Sequence, residues 1–195
     1  YKGLIMKESP SGCWTNHHSL VEYKGQWYLF YHHNAFSPDF DKNRSAQIER
    51  LYFNDDGTIQ EVRPTKRGVG PVKAFHKVQL DRYSDIDGAR IEYLDTTDYF
   101  KGWKTVFANA GDDVAFNEVD FGKKAPKKMT MRVKSAGDAV LEVTAGDVFM
   151  EVPVSECDDW TEVTCPMPSK VKGVHDIVVS LQDNALVEVD WITFK

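Results

Sequence analysis

The run Asn16-His17-His18-Ser19 leads straight into Leu20-Val21-Glu22-Tyr23-Lys24-Gly25-Gln26-Trp27-Tyr28-Leu29-Phe30-Tyr31-His32. Imidazole is the side chain that exchanges a proton near neutral pH and readily binds metals, so two histidines at the head of a strand are candidates for work at a site. In an extended segment they point to opposite sides, which separates their roles. Four carboxylates, Asp39, Asp41, Asp55 and Asp56, have the right type for acid–base chemistry, yet they stand in segments whose composition already explains them as turn formers. The elements that must position these groups are short strands. Leu20–Tyr23 reads as one strand, Lys24-Gly25 as a tight turn and Gln26–Tyr31 as its aromatic partner. Such a hairpin is not a fold by itself.

The 195 residues suit one or two domains, and 42% hydrophobic with 28% charged residues is an ordinary globular composition. No run reaches the roughly 18 apolar residues that a membrane-spanning helix needs. Net charge is −6. Residues 1–72 hold nine Lys/Arg against eight Asp/Glu, and the remainder 24 − 9 = 15 against 30 − 8 = 22, so the second part carries −7. That balance argues against nucleic acid or an anionic membrane as partner and suits neutral sugars or divalent cations. Cys13, Cys157 and Cys165 lack zinc-like spacing and are read as isolated thiols or at most one disulfide. No methionine-led or apolar leader precedes Tyr1, so the chain is expected to be the carboxy-terminal part of a longer protein.

Arg63-Pro64-Thr65-Lys66-Arg67-Gly68-Val69-Gly70-Pro71 reads as a junction between domains 1–72 and 73–195. Beyond it, strict alternation in 128–134, 139–144, 147–152 and 176–181 predicts strands with one buried face, hence an all-β sandwich or jelly roll.

The first domain resembles the last blade of the five-bladed β-propeller catalytic domain of glycoside hydrolase family 43. The resemblance is carried by Asn16–Ser19 before the Trp27–His32 strand, the arginine-bearing 43–51 segment, the Tyr52–Ile59 hairpin and Gly68-Val69-Gly70. It implies an inverting hydrolase, in which one carboxylic acid protonates the leaving oxygen and one carboxylate activates water. Those carboxylates belong to other blades, so no catalytic residue is expected in this chain and no activity from it alone. The resemblance implies a secreted, extracellular or periplasmic parent acting on plant polysaccharide containing arabinose or xylose: arabinoxylan, xylan or arabinan. His17 aligns with an axial histidine near a calcium ion or water cluster. Arg44 aligns with an arginine reaching the sugar subsite, where a guanidinium fork can hold a hydroxyl and a carboxylate together. Trp27, Tyr28, Phe30 and Tyr31 are expected to pack between blades. Trp14 and His32 or His33 can edge the cleft.

The second domain resembles a family 6 carbohydrate-binding module, through Val78–Tyr83, Gly111-Asp112, Val119–Gly122, Gly173–Ile177 and Val189–Phe194. The resemblance implies a structural calcium held by Gln79, Asp81 and Asp190. Residues i and i+2 of a strand face the same way, so Gln79 and Asp81 can converge while Asp190 arrives from the last strand. It also implies a saccharide cleft between two aromatics with hydrogen-bonding side chains at its rim. Phe107 stands at the first aromatic position. Cys157 falls at the second, and a shift of two or three residues would bring Trp160 there; Glu92 and Glu188 would complete the rim. Two functions compete. Trp160 exposed opposite Phe107 favours polysaccharide or oligosaccharide binding. A buried Trp160 favours a degenerate module that braces the rest of the propeller.

Overall fold

The structure, a computed structural model, describes residues 1–7, 17–34, 44–168 and 170–195; Cys13, Trp14, Asn16, Asp39 and Asp41, named above, lie outside the described residues. The chain divides into two compact units, Tyr1–Val69 and Gly70–Lys195.

In the first unit β1 (Ser19–Tyr23), β2 (Gln26–His33) and β3 (Ser45–Leu51) form an antiparallel sheet in that order. Lys24 and Gly25 both take positive φ, 53° and 77°, the two-residue turn whose twist matches its strands. Alternation along β2 sends Leu29 and Tyr31 into a small core with Leu51 and Val62, and Trp27 packs against it. Phe30 faces the other way and is exposed, as are Leu20, Val21 and Tyr23 of β1.

The second unit is built from β4 (Val72–Lys73), β5 (Val78–Gln79), β6 (Asp85–Asp87), β7 (Arg90–Tyr93), β8 (Trp103–Phe107), β9 (Asp113–Asp120), β10 (Lys128–Ser135), β11 (Ala139–Ala145), β12 (Val148–Val154), β13 (Cys157–Pro166), β14 (Val174–Leu181) and β15 (Val187–Phe194). One six-stranded sheet runs β13-β10-β15-β8-β7 with β5 also on β15; the other runs β12-β11-β14-β9-β4 with β6 also on β9. Met129, Met131, Val133, Val189, Ile192 and Phe194 of the first sheet meet Val114, Phe116, Leu141, Val143, Val152 and Val179 of the second in one core. This is the sandwich that alternation predicts, with period-two strands burying one face each. The only helical turn among the described residues is the 3-10 turn Tyr99–Lys101.

Candidate functional site

In the first unit the expected pair His17 and Arg44 is joined by a residue that the sequence left undecided. The His17 amide donates to His32 Nε2 at 3.1 Å, and the two rings stack with centroids 5.7 Å apart. His32 is held below the usual imidazole range by burial, then by the positive charge of Arg44 and by His17. With Nε2 accepting, the neutral ring carries its proton on Nδ1, a buried atom that has no partner among the described residues. His18 is exposed.

Two described carboxylates of this unit, Glu49 and Asp56, are held by neighbouring donors. Glu49 is buried, and its Oε1 accepts from the Thr65 amide at 2.6 Å, from the Thr65 hydroxyl at 2.9 Å and from the Tyr31 hydroxyl at 3.3 Å. Burial pushes its carboxyl up and the Thr65 hydrogen bonds pull against it. Asp56 closes a turn by accepting from the Thr58 amide and hydroxyl.

The neighbouring His33 gives the unit an acid limit. Burial, then Lys66 and His32, lowers it from 6.5 to about 4. A base depressed in the folded state stabilises the fold above its unfolded pKa and loses that contribution as pH falls through the window from 6.5 to about 4. Lowering the pH from 7 to 5 is expected to cost the unit about 2 kcal/mol, read from denaturant titrations at both values, and His33→Asn should flatten the difference.

In the second unit the four predicted sugar-contacting residues do not line one cleft. Phe107 is 0% exposed and belongs to the core, which corrects its reading as a surface platform. It stands across from Val187 of β15, itself a core residue, and partners directly opposite on a sheet share a face. The loop after Phe107 is closed by Asp112, whose Oδ2 accepts from the amides of Ala108 and Asn109 at 2.7 and 2.9 Å. Gly88 lies against Asp112 so closely that a Cβ would stand 2.2 Å from Oδ1.

Glu92 and Glu188 do converge, but on a lysine. Lys104 Nζ lies 2.5 Å from Glu188 and 3.8 Å from Glu92, whose other oxygen is 2.7 Å from Arg90 Nε. Trp160 is half-buried, and Arg132 lies 4.8 Å from its ring centroid. Arg132 alternates with the core residues Met131 and Val133, so Trp160 sits with it on the outer face of the sheet, away from Phe107. Cys157 and Cys165 are both free thiols, and burial pushes the Cys165 thiol up.

The expected calcium residues Gln79, Asp81 and Asp190 are brought together. All three line one cavity of about 450 Å³ on the outer side of this sheet, with Trp103, Trp191 and Arg132. Both carboxylates are already engaged: Arg82 Nε lies 3.1 Å from Asp81 Oδ2, and Arg132 Nη1 pairs directly with Asp190 Oδ2. Calcium takes about six to eight oxygens, whereas these three side chains offer five. The set as arranged fits a guanidinium rather than a divalent ion.

The cavity wall was not legible as a site. Trp103 is stacked on Tyr93, which in turn is stacked on Tyr99, with centroids 4.2 and 4.3 Å apart. Trp191 is covered by Lys77, whose Nζ is 4.2 Å from the ring centroid. The usable signal is parity: Trp191 pairs with both Gln79 and Arg132 across β15.

Residues 81–195 match the carbohydrate binding module (family 6). The chain belongs to that family. The family 6 module is accompanied by similarity to hydrolases. A β-xylosidase from Xylanibacter ruminicola is 43% identical over 63 residues, 32% of this chain and 19% of that protein. A xylosidase/arabinosidase from Thermoclostridium stercorarium is 27% identical over 182 residues, 83% of this chain and 38% of that protein. The crystal structure of a glycoside hydrolase family 43 arabinoxylan arabinofuranohydrolase from Bacillus subtilis, in complex with cellotetraose, shares the fold. It superposes with a TM-score of 0.63 at 22% identity over 100% of this chain and 44% of that one. The chain spans less than half the length of each of these proteins.

Proposed function

We propose that this chain supplies one blade and the family 6 module of a family 43-like glycoside hydrolase acting on xylan, arabinoxylan or arabinan outside the cytoplasm, and that its own biochemical task is to hold the saccharide. The observation that carries the reading is the cavity beside Trp103 and Trp191. Its volume of about 450 Å³ is in the range of small-ligand sites, and it combines the Trp103 indole for the apolar face of a pyranose with polar side chains for the hydroxyls. The relatives named xylosidase and arabinosidase support the substrate class. For the first unit, support comes from the His17–His32–Arg44 cluster and from the apolar side chains that β1 leaves exposed, which suit packing against another part of such an enzyme. Glu49 and Asp56 are held in local hydrogen bonds, and the resemblance to family 43 puts the hydrolytic carboxylates on other blades of such an enzyme.

Titration calorimetry with xylohexaose and an arabinose-substituted xylo-oligosaccharide is expected to show binding accompanied by a change in tryptophan emission, and Trp103→Ala should weaken it by at least about tenfold, as loss of a stacking aromatic does. A specific observation favours a second reading, the bracing module: Phe107 is withdrawn into the core, and Glu92 and Glu188 are matched by Arg90 and Lys104. Heats equal to dilution with both sugars would establish that reading and remove the first.

A further inference from the structure

The cavity is less acidic than its surroundings. Residues 73–195 carry 15 cationic side chains against 22 acidic ones, but the cavity is lined by Lys77, Arg82, Lys101 and Arg132 against Asp81, Glu162 and Asp190. The lining itself counts 4 − 3 = +1, and 4 − 4 = 0 once Asp95, the partner of Lys101, is included, within a region of −7. The two nearly buried carboxylates are matched one to one by guanidinium groups, Asp81 by Arg82 and Asp190 by Arg132. Lys101 is matched by Asp95, at 2.6 Å, across an exposed pair that water screens. Lys77 differs. Its ammonium lies over the Trp191 ring, and among the described residues no carboxylate stands within ion-pair distance of it. An ammonium beside an indole, at the rim of a sugar-sized cavity, offers an opposite charge to a ligand that carries its own carboxylate.

We infer that this cavity discriminates for acidic saccharides, taking a uronic acid borne on a xylan-type chain in preference to the unsubstituted chain. The inference rests on the carbohydrate reading above and specifies its ligand. The sugar ring lies in the cavity beside Trp103, and its carboxylate is met by Lys77. A carboxylate–ammonium pair is charge-assisted and therefore stronger than the hydroxyl contacts a neutral pentose offers at the same place. Because the rim is wet, the preference is modest and salt-dependent.

The test is calorimetry on the whole chain with xylotetraose and with the same oligosaccharide bearing one glucuronic acid branch, at about 20 mM and about 500 mM salt, where screening lengths differ severalfold. Free glucuronate and acetate serve as small-anion controls. The expected result is an affinity about fivefold higher for the branched sugar at low salt, the size of one partly exposed charge pair. The advantage should shrink toward equality at high salt and in Lys77→Gln, with acetate failing to compete. The melting temperature of Lys77→Gln should stay close to that of the parent, because the exchange removes no buried group. Equal affinities for the two sugars overturn the inference and leave the carbohydrate reading standing. Competition by acetate as effective as by glucuronate overturns it as well, since the cavity would then be a general anion site. Absence of binding by either sugar removes both readings together.

Discussion

Truncating Phe107 to alanine is expected to lower the stability of the second unit by about 3–5 kcal/mol, the usual cost of emptying a buried aromatic site, while leaving saccharide affinity unchanged. The side chain is fully enclosed and packs in the core formed between the two sheets. Its position at the end of β8, before a loop tied down by Asp112 and Gly88, leaves the surrounding backbone little room to collapse into the void. Phe107→Leu should cost much less, about 1 kcal/mol, because it keeps most of the volume. Urea unfolding measures the stability and calorimetry with xylo-oligosaccharides the affinity. The opposite pattern, full stability with binding lost, would return Phe107 to the surface and make the loop end of the sandwich the sugar site.

Phe107 also shows where sequence reading stops. The strands of the second unit were legible because alternation of apolar and polar residues has one structural meaning, a sheet with one face buried; the 128–134 and 139–144 predictions lie within β10 and β11. An aromatic at the end of a strand has two meanings. Core filler and sugar platform use the same ring, and which applies depends on the parity with which Val187 pairs, some eighty positions further along the chain. Glu92 and Glu188 were read as a rim for the same reason: the lysine that joins them sits on β8, which the sheet order places between β7 and β15. His32 illustrates the converse. It is chemically conspicuous in the sequence, but only the hairpin brings the His17 amide to its Nε2 across fifteen residues. Gln79, Asp81 and Asp190 line one cavity, where the resemblance places them together, and Arg132 reaches Asp190 from β10, a strand that carries none of the motifs quoted for that resemblance.

That cation leads to the second large effect. Replacing Arg132 with leucine is expected to destabilise the second unit by about 3 kcal/mol, since removing one partner of a buried ion pair leaves the other charge without compensation. Asp190 has a side chain only 9% exposed, while Arg132 is 30% exposed, and the water that reaches the arginine holds the figure at the lower end of the buried-pair range. The geometry that makes the pair is built in the backbone. Arg132 lies opposite Trp191 and Val133 opposite Val189, so Asp190 is the extra residue of a bulge, which turns it out of the regular alternation. Arg132→Lys keeps the charge but loses the planar fork and the contact with Trp160, and should cost about 1 kcal/mol. Arg132→Leu combined with Asp190→Leu should recover most of the loss, which distinguishes an uncompensated charge from lost packing. The same variants decide what occupies the place where resemblance implies calcium. With Arg132 present, millimolar calcium or a chelator is expected to leave the melting temperature unchanged. In Arg132→Leu the released Asp190, with Asp81 and Gln79, becomes a set of oxygens without that guanidinium, and calcium should raise the melting temperature of the variant alone, as any ligand specific for the folded state does. A parent protein that melts several degrees lower in chelator would reverse the assignment, making calcium the resident cation and Arg132 a bystander to it.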